Sequence, residues 1–108
     1  MTTIPTLYIK QEPFNNIYNK LKTIEVRQYQ GFIKTLKINQ KINLVNQNQK
    51  IEIEIKNIKK YSTLKELLDN SDINKINPNL VSFQNPINYF QKYYKLDKLD
   101  KPFVAIYL

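Results

Sequence analysis

Apolar positions along the chain change their spacing several times, and each change marks an element. Leu7 and Ile9 alternate with Tyr8 and Lys10, which predicts a strand over roughly 6–10. Pro13 is read as the first helical residue, and Phe14, Ile17 and Leu21 then recur at helical spacing, predicting a helix over roughly 13–21. Alternation returns over roughly 22–28, with Ile24 and Val26 on one face and Thr23, Glu25 and Arg27 on the other. Gly31 then releases the backbone, and Phe32 and Ile33 are expected to return to the core.

The middle of the chain reads as a hairpin. Ile42 and Leu44 alternate in one strand (roughly 41–46), and Ile51, Ile53 and Ile55 alternate in the next (roughly 50–59). Asn46-Gln47-Asn48-Gln49 makes the turn, with Asn supplying the positive φ that glycine would otherwise provide. Ile58 breaks parity with Ile55, which predicts a β-bulge near Lys56-Asn57. Thr63 is the expected cap of a helix burying Leu64, Leu67 and Leu68, whose carboxylate neighbours Glu66, Asp69 and Asp72 read as a solvated face. The stretch 70–85 is expected to be loop with one helical turn. Asn85-Pro86 opens a helix that places Ile87, Phe90 and Tyr94 on one face. Residues 102–108 predict a final strand. Short strands with interspersed helices, and strands at both ends, predict an α+β fold built on one small β-barrel that contains the first and last strands.

Composition narrows the function classes. The 108 residues fit one domain, 1–108, and the hydrophobic content of 42% is that of a folded protein. No apolar run approaches a membrane span, and MTTIPTLYIK lacks the apolar stretch of a signal peptide, so an intracellular location is expected. The chain has no Cys and no His, which removes thiolate and imidazole zinc sites and the usual nucleophile–base pairs. No metal site or cofactor is expected. The net charge is +8, yet Arg27 is the one Arg among seventeen basic residues, and Gly31 is the one Gly. Lys, Asn, Ile and Tyr have AT-rich codons, so part of the charge reflects an AT-rich genome, such as that of a large DNA virus, a low-GC bacterium or a protist. For a virus, the host cytoplasm or nucleus would be the compartment. A basic surface attracts phosphate whatever its origin. Against this background the lone Arg is the more informative cation.

The run Lys22-Thr23-Ile24-Glu25-Val26-Arg27, preceded by Leu7-Tyr8-Ile9-Lys10 and the helix through Ile17, resembles the start of an ASCH domain, whose motif is Gly-x-Lys-x-x-Glu-x-Arg. Further matches follow in order. Leu36-Lys37 leads into a strand at Ile42, Tyr61 to Leu68 resembles the family's Tyr-x-Ser-Phe-x-Glu-Leu-Leu helix, Tyr93-Tyr94 its Tyr pair, and Val104-Ala105-Ile106 its closing strand. The resemblance implies a PUA-like β-barrel with attached short helices, and a cleft that takes RNA or a nucleotide-like ligand. Lys20 stands at the family's Gly position, Asn39-Gln40 replaces a Gly-Asp turn, and Glu25 stands where acetylcytidine amidohydrolase relatives carry Thr.

The resemblance makes Lys20, Lys22, Glu25, Arg27 and Tyr94 the candidate nucleic-acid-binding residues. Arg27 offers a planar fork to phosphate or a base edge, Lys22 a point charge, and Glu25 an acceptor for a base amino group or an orienting partner for the two cations. Tyr29, Tyr61, Tyr89, Tyr93 and Tyr94 are candidates for base stacking, although most aromatics in a small domain are core. Tyr93 and Tyr94 cannot share one helix face, so one of them is expected to be exposed. Three functions stay open: a binder of RNA or nucleotides in RNA metabolism or regulation, a small hydrolase (ribonuclease or modified-nucleoside amidohydrolase) using Lys22 and Glu25 as catalytic groups, and a protein-interaction module. A monomer is the default state.

Overall fold

The structure, a computed structural model, describes residues 4–82 and 85–108. Six strands pair as two three-stranded sheets among these residues. In the first sheet β1 (Thr6–Tyr8) runs parallel to β3 (Lys41–Asn46), which pairs antiparallel with β4 (Gln49–Glu54). In the second, β6 (Phe103–Tyr107) lies between β2 (Ile24–Gln28) and β5 (Asn57–Tyr61), antiparallel to both. The α+β class is as predicted. The expected pairing of all strands in one closed barrel is not what forms: the first strand lies at the edge of one sheet, and the last at the centre of the other.

The two sheets are joined where a bulge was predicted. Rather than kinking one strand, the chain leaves β4 at Glu54, and Ile55 and Lys56 carry it across to β5. The Ile55 amide donates to Gln40 O of the first sheet's side, and the Lys56 amide donates to Tyr107 O of the second. Changing partners over two residues satisfies both amides and buries Ile55 completely.

Helix α1 (Gln11–Tyr18) starts two residues before Pro13 and stops short of Leu21, which is 53% exposed. Pro13 sits third in the helix, where an amide would lack an intrahelical acceptor anyway; the first i→i−4 bond is Phe14 N to Lys10 O. The end is a Schellman closure, with Leu21 N donating to Asn16 O and Lys20 N to Ile17 O. It requires a left-handed residue after the cap, and Lys20 takes φ +63°. Asn39 takes φ +72°. In the two-residue hairpin loop between β3 and β4 the positive φ falls on Gln47 (+52°), not on an Asn.

Helices α2 (Leu64–Asp69), α3 (Ile73–Ile76), α4 (Ile87–Phe90) and α5 (Leu96–Leu99) cover one face of the second sheet. Thr63 caps α2 through the Glu66 amide, as predicted, and Leu64, Leu67 and Leu68 are buried. Glu66, Asp69 and Asp72 are exposed; Asp69 pairs with Lys65, and Asp72 caps α3. Asn85 accepts from the Ile87 amide at the start of α4. The stretch predicted as loop holds α3 and a 3₁₀ turn at Pro78–Ser82; its residues 83–84 lie outside the described residues. Strand β6 serves two cores, with Val104 and Ile106 facing Leu7, Ile42, Leu44 and Ile55, and Phe103 and Ala105 facing the helices. A strand buried on both faces explains its unbroken apolar run. Among the described residues no helix is long and apolar enough to cross a membrane.

Candidate functional site

Glu25 and Arg27 lie opposite Ile106 and Val104 in the β2–β6 register, so they share the face that looks toward the first sheet. The predicted common face is correct, but Glu25 is only 7% exposed and Lys22 only 5%. They are not a solvated surface pair. Glu25 sits between two cations: Oε1 is 3.3 Å from Lys22 Nζ, and Oε2 accepts from Arg27 Nε at 3.2 Å and from Nη2 at 3.1 Å. The Val26 amide also donates to Oε1.

Lys22 is fully engaged. Its ammonium donates to Ile24 O at 2.6 Å and to Ile76 O at 2.7 Å, in addition to its contact with Glu25. Three acceptors match its three N–H groups, and Ile76 O is a carbonyl at the C-terminal end of α3, where a cation is favoured. Lys22 therefore pins α3 to β2 instead of reaching for a ligand. Arg27 differs. Nη2 also donates to Tyr8 O at 2.9 Å, which fixes the guanidinium, while Nη1 has no protein acceptor among the described residues. The side chain is 28% exposed.

Burial pushes the Glu25 carboxyl up, but the charges of Lys22 and Arg27 outweigh it and hold it below the usual carboxylate range. Burial also pushes the Lys22 ammonium down, against the pull of Glu25. Glu25 is thus an anchored carboxylate at neutral pH. A general acid or base works best with a pKa near the operating pH, and these neighbours move Glu25 the other way.

A cavity of about 400 Å³ opens over this triad, within the roughly 300–1,000 Å³ of small-molecule sites. Helix α1 and the end of β1 form one wall, α3 and the α4 segment the other. Its ionic lining is three cations, Lys10, Lys22 and Arg27, and two carboxylates, Glu12 and Glu25. Its aromatic lining is Tyr8, Tyr89, Phe90, Tyr93 and Tyr94. Tyr94 is braced edge-on against Phe103, with ring centroids 5.2 Å apart, and burial raises its phenol pKa. Tyr89 stacks obliquely on Tyr93 at 5.5 Å, and its phenol is pushed up to about 12, chiefly by burial and then by its hydrogen bond with Tyr93. As expected, one member of the Tyr pair is exposed; it is Tyr93, over which Lys10 Nζ lies at 4.0 Å.

Of the predicted site residues, Lys22, Glu25, Arg27 and Tyr94 come together here. Lys20 is exposed and does not line the cavity. Tyr29 and Tyr61 lie elsewhere, Tyr29 beneath Lys60 at 4.2 Å. Sequence reasoning missed Asn16, Asn77 and the carbonyls of Tyr8 and Ile76. A carbonyl leaves no mark in a residue pattern.

No family model matches the chain, and no curated protein matches it. Solved structures do. The crystal structure of hypothetical protein PH0355 superposes with a TM-score of 0.81 at 21% identity, over 97% of this chain and 96% of that one. The solution structure of protein PF0455 from Pyrococcus furiosus gives 0.73 at 21% identity, over 97% and 94%. The likeness is one of fold.

Proposed function

We propose that the chain is an ASCH-type, PUA-like domain that binds RNA or a nucleotide-like ligand in the cleft over Arg27. One observation carries the reading: a guanidinium held rigid by Glu25 and Tyr8 O, with Nη1 uncommitted, at the base of a tyrosine-lined cavity of nucleotide size. Fixed donors beside flat aromatic faces suit a ligand that combines an acceptor oxygen with a ring.

Two further features support the family reading. The positions where the family's pattern has Gly are Lys20 and Asn39, and both adopt the left-handed backbone that glycine favours. The two sheets, joined by Ile55-Lys56 on one side and by the Arg27–Tyr8 bond on the other, fit a PUA-like barrel opened between β1 and β2. A hydrolase using Lys22 and Glu25 fits less well, because both side chains are saturated with internal partners.

The test is thermal stabilisation and calorimetry with nucleosides, nucleoside monophosphates and short single-stranded RNAs. Saturable binding of one of these classes, lost in Arg27→Ala, is expected. Binding by none of them would overturn the proposal.

A further inference from the structure

Arg27 and Tyr94 line a second depression as well as the first. It has a volume of about 520 Å³, and its remaining walls are Gln28, Gln30, Gly31, Phe32 and Ile33. Phe32 is 47% exposed, although its position in the pattern predicts burial. Gly31, with φ +58°, starts the 3₁₀ turn Gly31–Thr35 that holds Phe32 outside the core. The turn costs the core a large apolar side chain and leaves it on the surface beside a fixed cation.

We infer that the two chambers hold adjacent nucleotides of one single strand, with the linking phosphodiester on Arg27 Nη1, one base among the tyrosines and the next on Phe32. This rests on the reading of the cleft given above and adds the ligand's length and linkage. The arrangement of donors favours it. Glu25 and Tyr8 O occupy Nε and Nη2, so the bidentate grip suited to a terminal phosphate or a guanine edge is blocked. One nitrogen remains, enough for a nonbridging oxygen of a diester. Arg27 lines both chambers and each has an aromatic lining, the tyrosines in one and Phe32 in the other, which fits bases on both sides of one phosphate. Gln28 and Gln30, with both donors and acceptors, stand at the second chamber rather than a further cation. A base edge suits them better than a second phosphate.

Calorimetry on the full chain would compare the four nucleoside 5′-monophosphates with the four homodinucleotides, in ribo and deoxyribo forms, for wild type, Phe32→Ala and Phe32→Trp. Stacking of about 1–3 kcal/mol per base corresponds to about 5- to 150-fold in affinity. The best dinucleotide should therefore bind wild type about tenfold tighter than its monophosphate. That ratio should fall to within about twofold of unity in Phe32→Ala and be restored in Phe32→Trp. Equal ratios in wild type and Phe32→Ala would overturn the inference and leave a single-nucleotide cleft standing. Binding of neither probe class to wild type would remove the proposed function as well. The ribo and deoxyribo arms test the strand: tighter binding of the ribo forms supports RNA, and a clear preference for the deoxyribo forms would overturn RNA as the ligand.

Discussion

Arg27 Nη2 donates to the carbonyl of Tyr8 at 2.9 Å, and in doing so ties the edge of one sheet to the edge of the other. Strands β1 and β2 share no ladder, so a side chain spans the opening that main-chain bonds leave. The same guanidinium is the cleft's fixed donor. One residue thus lines the cleft and ties the two sheets together beside it.

Replacing Arg27 should therefore affect stability and binding at once. Arg27→Ala leaves Glu25 with Lys22 as its remaining cation and removes the side-chain donor to Tyr8 O, a loss of about 2 kcal/mol in urea unfolding. RNA affinity should fall more than in Lys50→Ala, an exposed lysine of β4 that does not line the cleft. Lys50→Ala should change only the salt dependence of binding, by one phosphate contact at most. Equal affinity losses would assign binding to diffuse charge. Arg27→Lys should not rescue either property, because an ammonium lacks the planar fork that spans Glu25 and Tyr8.

Lys20 supports a prediction of opposite sign. A lysine at φ +63° carries a backbone penalty that glycine does not. Lys20→Gly should stabilise the protein by about 0.5–1 kcal/mol, after the glycine's extra unfolded-state entropy is counted, and raise Tm by about 4 °C. Lys20→Val should lower Tm. Because the side chain does not line the cleft, ligand affinity in Lys20→Gly should stay within about twofold of wild type. A large affinity loss would return Lys20 to the site.

The parts legible in the sequence are those set by local period and local chemistry. Leu64, Leu67 and Leu68 with the Thr63 cap, the β3–β4 hairpin and the final strand all follow from spacing and capping residues. The grouping of Lys22, Glu25 and Arg27 was legible because helix end and strand are adjacent in sequence. What was hidden depends on partners distant along the chain. Ile58 looked like a bulge because a period cannot reveal a change of pairing partner. Phe32 looked like core because its exposure is decided by the turn at Gly31. Lys22 looked free to bind because its acceptor, Ile76 O, is 54 residues away.

Tyrosine ionisation offers a direct reading of the cleft wall. Tyr89 is pushed up to about 12 by burial and by Tyr93, and an unfolded tyrosine ionises near 10. The folded state keeps the proton longer, so this stabilising contribution is complete below about pH 10 and is lost as pH rises from there through about 12. Absorbance titration should show a late phase that loses the contribution of one tyrosine in Tyr89→Phe and keeps that of Tyr94, which burial also raises. In the same interval the stability of wild type should fall more steeply than that of the variant. A single phase near 10 in the folded protein would mean that the wall is open to water.

Glu25 separates a binding site from a catalytic one without any substrate. Its carboxyl is held below the usual range, so folding favours the ionised form. The corresponding stability is present in full above the ordinary glutamate pKa and is lost as pH falls through the lower folded value. Glu25→Gln removes the charge between two buried or half-buried cations and should destabilise the protein by about 3 kcal/mol at neutral pH, the scale of a broken buried ion pair. The gap between wild type and variant should be flat from about pH 8 to pH 5 and close only in more acidic solution. A catalytic acid–base carboxyl requires the opposite: a pKa raised toward neutrality, with the gap changing between about pH 5 and 7. Urea unfolding of both proteins across this range decides between them. A midpoint near neutral pH would give Glu25 the proton exchange that its two salt bridges otherwise deny it, and would move the hydrolase reading ahead of the binding one.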